Sequence, residues 1–404
     1  MMGVLLAAAL GHRHVLTELR ITANQVHAGV AFEAAEAGLS WAQARLNSPL
    51  AIGDDCEPSG AAGADGFRER YLQTRADGRI DPRLRGAPGS PQPRQALCLR
   101  EGDGWRCHCP TESAPSLAAP ADPRPRPAFL VEWQAVERPG VVQVSATGCS
   151  HLASPCLPGA AERADASARL RVGLALLPAL ATPPAAVLTV QGQIDAGTAA
   201  LGLHNADALS GGLAAHAGGR LLGTRLRLST APGAPVAAAT LASDESLATT
   251  SAAAFFARHF GTDPDAWRRQ PGVRTVDCRG GDCGDALRSA LEGATDTVRI
   301  AVAGDLALSG RQRVGSATAP VVLVVEGTLR LQGPVQLHGL VHARGLRWDA
   351  ADEGDGALLR GAVLLSGDYG GDASADLVYD VGLMRRLAGR SGSWVRVPGS
   401  WRDG

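Results

Sequence analysis

Cysteine, histidine and acidic residues are the ones here whose types and spacing could support chemistry. Cys107-His108-Cys109 offers thiolates and an imidazole, the usual ligands of zinc. Structural zinc sites pair cysteines roughly two to four residues apart and need a second pair, which the sequence does not offer. Cys56, Cys98, Cys107 and Cys109 therefore read as disulfide partners, with three pairings open. Cys149 and Cys156 bracket a small loop in "CSHLASPC", and Cys278 and Cys283 a tighter one around Gly280-Gly281. His151 reads as a solvated side chain. The acidic run "DAADEGDG" from Asp349 carries calcium-type oxygen ligands but lacks the EF-hand order and a late bidentate Glu, so it reads as a solvated loop. No Gly-x-Ser-x-Gly elbow, His-Glu-x-x-His helix or phosphate loop occurs. No catalytic residue, cofactor or metal ligand is assigned, and the chain is not read as an enzyme.

The elements that carry these loops follow from composition and period. Single cores stop growing at about 250–300 residues, so a chain of 404 residues is divided into domains. Its formal charge of -1 offers no global field for nucleic acid, which is excluded as a partner. Aromatic residues make up 4% while Gly numbers 50 and Pro 25, which predicts cores of Val, Leu and Ala and many turns. An even number of cysteines, eight, suits an oxidising compartment.

From Leu16, apolar residues recur at Leu19, Ala23, Val26, Val30, Ala34, Ala37, Trp41 and Ala44, a helical stripe. Asn47-Ser48-Pro49 ends it, because proline disfavours helix in the residue before it. A helix from near Met2 to Leu46 would be roughly 65 Å long, more than one small domain covers, so part of it is expected to protrude. Ala28, Gly29, Ala31, Ala34, Ala35, Ala37 and Gly38 would permit close approach of another helix.

Residues 54–127 are loop-rich, apart from a hairpin in "QALCLREGDGWRCHCP" with Cys98 and Cys107 on opposite arms. "AFLVEWQAVERPGVVQVSATGC" and "ADASARLRVGLALLP" predict an antiparallel meander packed on one face by the helix. Beyond the linker "LPALATPPAA", five-residue strand-like units stand between glycines, starting at Gly304, Gly327, Gly339 and Gly361, steps of 23, 12 and 22. Such recurrence predicts stacked coils of a β-solenoid, with an antiparallel sandwich as the alternative. "SDESLATTSAAAFFARHFG" predicts a helix capped by Ser243, ending near Gly261 and covering a sheet edge.

The run "LTELRITANQVHAGVAFEAAEAGLSWAQARL" resembles the N-terminal helix of the PilX-type minor pilins of type IV pilus assembly, through Arg20-x-x-Ala23-Asn24 and Phe32-x-Ala34-Ala35-Glu36-Ala37-Gly38-Leu39. The passage "PVVLVVEGTLRLQGPVQLHGLVHARG" and the residues after it resemble the C-terminal domain attached to many PilX-like pilus proteins. The resemblance implies an α+β fold: a long N-terminal helix (1–47) packed on an antiparallel pilin-like sheet (48–180), followed by a β-rich, β-solenoid-like domain (185–404). It implies a structural subunit at the bacterial inner membrane, facing the periplasm, and on the pilus or cell surface. Its partners would be other pilins, minor pilins and pilus assembly proteins, met through Val26, Val30, Ala34, Glu36 and Ala37. The alternative is a pilus-associated adhesin acting through the C-terminal domain. In that family a full apolar span precedes the polar half, whereas "MMGVLLAAAL" is interrupted by Gly11-His12-Arg13-His14, short of the ~20 residues a span needs. The expectation is that Met1 is an internal methionine or shortened start, with the rest of the anchor encoded upstream.

Overall fold

In the computed structural model, the described residues are 2–61, 64–75, 77–86, 90–118, 126–281, 283–351 and 356–404, with side chains described from His14 onward except Val15 and Leu16. The chain divides into two compact units, Met1–Ala175 with Trp394–Gly404, and Leu176–Ser393. The return of the last residues to the first unit differs from the assignment of 185–404 to one domain.

The first unit is built on helix α1, Met2–Leu46, of 45 residues. Its end is fixed by Asn47, whose buried amide donates to the Gln43 and Trp394 carbonyls (both 2.9 Å) and accepts from the Trp394 N–H (2.9 Å). A side chain thus does the work of a neighbouring strand at the point where Pro49 forbids further helix. The helix lies on an antiparallel sheet whose central strands run in the order Ser167–Pro178, Val141–Cys149, Ala128–Ala135, Ala96–Glu101 and Gly104–His108. The unit concentrates its few aromatics into one cluster. Tyr71 stacks on Trp133 at 4.3 Å between centroids, Phe67 meets both, and Trp41 reaches from the helix to Phe67 (5.3 Å) and Phe129 (5.7 Å).

The seat of the helix is made of missing side chains. A Cβ at Gly148 would stand 2.1 Å from the Ala31 carbonyl oxygen and 2.3 Å from the Ala35 nitrogen; one at Gly38 would press on Ala146 and Phe129 at 3.0 Å. The buried line is Ala31, Ala34, Ala35, Leu39, Ala42 and Leu46. This corrects the predicted stripe: Leu19 is 62% and Val26 57% exposed, and Ala44 is exposed as well. Periodicity weighs a residue by apolarity, whereas a helix this close to a sheet selects for smallness. The core-facing line therefore begins at Ala31 and follows the alanines rather than the larger Leu19 and Val26.

In the second unit every described strand pairing is parallel. Two sheets alternate along the chain: Val298–Ala303, Val321–Val325, Gln336–Ala343 and Leu358–Leu365 lie in one, and Leu306–Ser309, Thr328–Gln332, Gly345–Asp349 and Tyr369–Gly370 in the other. Side chains in register form columns that fill the space between the sheets. One is Ile300, Leu323, Val341, Val363 and Leu188; the facing one is Leu306, Leu329, Leu346, Tyr369 and Ile194. The glycine-bounded units are not equivalent. The units from Gly304 and Gly327 stand side by side in one sheet, those from Gly339 and Gly361 in the other, so the steps of 23 and 22 return the chain to the same sheet and the step of 12 crosses between sheets.

The first sheet is buried on both faces, as parallel sheets usually are. Its outer face, with Val322, Val324, Leu340, Ala362 and Leu364, is covered by Phe255, Phe256, Phe260, Trp267, Met384 and Leu387. The predicted long helix is two: Glu245–Ala248, capped by Asp244, and Ala252–Phe260, capped by Ser251, whose hydroxyl accepts from the Ala254 N–H (3.2 Å). Ser243 is not the cap, and the helix covers a face rather than an edge, because three phenylalanines cannot be left in water beside a half-buried sheet.

Placing a methyl at Gly148 forces the helix off its seat, so Gly148→Ala is expected to cost the first unit about 2–3 kcal/mol. Gly29→Ala meets nothing within 4 Å and is expected to leave stability unchanged or raise it by up to about 1 kcal/mol. Denaturant unfolding followed by circular dichroism checks both, and equal effects would refute the close-seat account.

Candidate functional site: the exposed reach of the helix

No described side chain of α1 before Ala31 is buried. From Thr17 to Val26 all are exposed, a stretch in which Leu19, Ile21 and Val26 alternate with Glu18, Arg20, Asn24 and Gln25. Within the unit, His27 lies 3.6 Å from Asp165, and His151 reaches the same carboxylate at 3.8 Å. Residues 17–30 extend about 21 Å at helical rise. An exposed stretch of helix this long is not stabilised by its own hydrogen bonds alone, since most helical stability comes from packing of a face.

The five residues assigned to subunit packing do not share one environment. Val26 and Glu36 are exposed, Val30 and Ala37 are half-buried, and Ala34 is 3% exposed. Ala34 drops out of the set a neighbour can reach, because its methyl is part of the seat on the chain's own sheet. Leu19, which the stripe included, and Ile21 and Phe32, which it did not, are exposed apolar side chains of the same helix. Among the described residues no helix is long and apolar enough to cross a membrane.

All eight cysteines are paired: Cys56–Cys109, Cys98–Cys107, Cys149–Cys156 and Cys278–Cys283. Of the three pairings open for the first four, the structure takes the one that staples the hairpin arms, Cys98 and Cys107 being direct cross-strand partners. Both sulfurs flanking His108 are thereby committed, and its Nδ1 accepts from the Ser116 N–H at 3.0 Å. Half of the acidic run from Asp349, residues 352–355, lies outside the described residues.

The second unit holds a cavity of about 380 Å³ lined by Phe256, Val324, Val325, His342 and Arg344, with the Arg268–Glu326 ion pair at its rim. Neither ring nitrogen of His342 has a partner among the described residues. Its ring lies among Phe255, Phe256 and Phe260, at 6.2, 4.9 and 5.9 Å. Burial pushes its pKa down to about 4, helped by the nearby His259. Burial likewise lowers His259, against the Thr182 carbonyl that its Nδ1 contacts at 2.9 Å. Sequence reading missed this cluster, for which "FFARHF" and "LVHARG" carry no spacing signal.

No protein-family model and no curated protein matches the chain. Among solved structures it is similar to the competence-associated pilin ComZ from Thermus thermophilus, at 12% identity over 94% of this chain and 98% of that one, with a TM-score of 0.23. The arrangement seen here, one long N-terminal helix followed by a large β-rich region, is that of an α+β protein.

The buried imidazole sets a pH dependence for the second unit. Folded His342 titrates near 4 and the unfolded residue near 6.5, so between those values the unfolded chain binds a proton that the folded chain refuses, and stability falls as pH drops through that window. His259 acts with the same sign. His342→Leu is expected to flatten the midpoint-versus-pH curve between 6.5 and 4, and an unaltered slope would rule the assignment out.

Proposed function

We propose that the chain is a pilin-like subunit of a bacterial type IV pilus system, of the PilX minor-pilin kind, working by helix packing without turnover. One observation carries the reading: among the described side chains of a 45-residue helix, burial begins at Ala31, while Leu19, Ile21 and Val26 stand exposed along the preceding stretch. A helix bundle in which copies or related subunits lie side by side would bury those residues, and the charged ones between them would set orientation. The helix motif shared with PilX-type proteins supports the same reading. Four disulfides suit the periplasm and the cell exterior. In this reading the partners are other pilins and pilus assembly proteins, anchoring at the inner membrane is through the N-terminal helix, and the β-rich second unit, read as a solenoid, is displayed outward.

The test is the double substitution Ile21→Asp with Val26→Asp in the source organism. Both side chains are exposed, so the purified variant is expected to unfold within about 0.5 kcal/mol of wild type. Cells carrying it are expected to show sharply fewer pili by electron microscopy. Normal piliation with lost surface attachment only when the second unit is altered would replace this reading with the adhesin one.

A further inference from the structure

The second unit carries a bowl of about 490 Å³ whose lining holds four arginines, Arg360, Arg385, Arg386 and Arg390, with the imidazole of His338, against the single carboxylate of Asp380. Its construction follows from the coil geometry. Strand Gln336–Ala343 pairs with Arg313–Val314 over its first residues and with Val321–Val325 over its later ones, so it turns a corner at Gly339. The next coil repeats the corner at Gly361, where φ is 137° and a Cβ would lie 1.8 Å from the Gly339 carbonyl oxygen. The residues just before these glycines, His338 and Arg360, are therefore register partners in adjacent coils. Helix Val381–Gly389 follows the next strand and contributes Arg385 and Arg386, with Arg390 just past its end.

The charges are not neutralised internally. Asp380 is engaged as the helix cap, its Oδ1 accepting from the Leu383 N–H at 2.9 Å. Arg386 is used to hold the neighbouring loop, donating to the carbonyls of Ala317 (3.3 Å) and Thr318 (3.0 Å). The side chains of Arg360, Arg385 and Arg390 make no ion pair or hydrogen bond among the described residues. Elsewhere on the same unit exposed arginines pair with acids, as Arg330 does with Asp305 and Arg347 with Asp349. The local field is felt by His338, which burial first and then the guanidinium groups of Arg360 and Arg313 hold below its ordinary pKa, against the opposing pull of Asp380. Packing like charges around a concavity costs free energy that a bound anion would return.

We propose that this bowl binds the phosphoryl group of a phosphomonoester, carried either by a soluble small molecule or by a lipid headgroup. A carboxylate is satisfied by one guanidinium fork, whereas several separate forks around one concavity match the multiple oxygens and double charge of a phosphoryl group. A nucleic-acid strand fits less well, because the bowl offers no Phe, Tyr or Trp on which bases could stack. The site is independent of the helix-packing role.

The experiment is calorimetric titration of the full-length protein with inorganic phosphate and with glycerol 3-phosphate, together with flotation on phosphatidylcholine vesicles with and without phosphatidic acid. Wild type is expected to bind in at least one arm, and that arm identifies the carrier. Arg360→Gln combined with Arg385→Gln is expected to weaken binding at least about tenfold, while Arg330→Gln, outside the bowl, leaves it unchanged. Thermal unfolding of each variant confirms that the fold is retained. Absence of binding in both arms, equal binding by the double variant, or affinity for DNA without affinity for the monoester would each overturn the proposal.

Discussion

The approach of α1 to its sheet is the constraint on which the first unit depends. At Gly148 the strand backbone and the helix backbone come so near that neither side can carry more than hydrogen or a methyl, and Ala31, Ala34, Ala35 and Gly38 answer it from the helix side. Close packing of this kind gains dispersion energy along the whole contact but leaves no room for bulky residues there. Only where the strand backbone at Gly148 comes close is the helix face restricted to Ala31, Ala34 and Ala35; further along, Leu39 and Leu46 are buried, while Leu19, Ile21 and Val26 stand exposed before the seat begins. The apolar stretch that the sheet does not take is what remains for a neighbour.

The second unit answers a different problem. Strands paired in parallel register set like positions side by side, so each must present the same kind of side chain, and the columns through Ile300 and Leu306 do that with Val, Leu, Ile and one Tyr. A column buried on both sides needs no alternation of polar residues, which is why "PVVLVVEG" is continuously apolar. The outer face then requires its own cover, supplied by the phenylalanines of Ala252–Phe260 and by Met384 and Leu387.

Much of this was legible in the sequence, and the failures share a cause. The helix and its stop at Asn47-Ser48-Pro49, the hairpin across Cys98 and Cys107, and the spacing of 22 or 23 residues between strands of one sheet each arise from local spacing, which a sequence displays directly. The face of the helix that is buried, the fate of Ala34 and the pairing of Cys56 with Cys109 depend on what arrives from elsewhere in the chain. Gly148 looked like an ordinary strand residue, because nothing near it in sequence announces a helix. The basic bowl was invisible for the same reason: nothing in "LMRRLAGR" points to Arg360, which lies with it in the bowl.

That corner also shows how a repeat fold generates a site without departing from its repeat. The interior columns are bound to stay apolar, but the residue preceding each corner glycine lines the bowl and is free to vary from coil to coil. At successive layers it is His338 and then Arg360, and the chain places a short arginine-bearing helix against the same edge of the layer immediately after. Four guanidinium groups gathered around one concavity would be disfavoured by stability alone, since like charges brought together repel. Their presence, with the one nearby acid spent on a helix cap and the arginines left largely uncompensated, is accounted for if the missing negative charge arrives with a ligand.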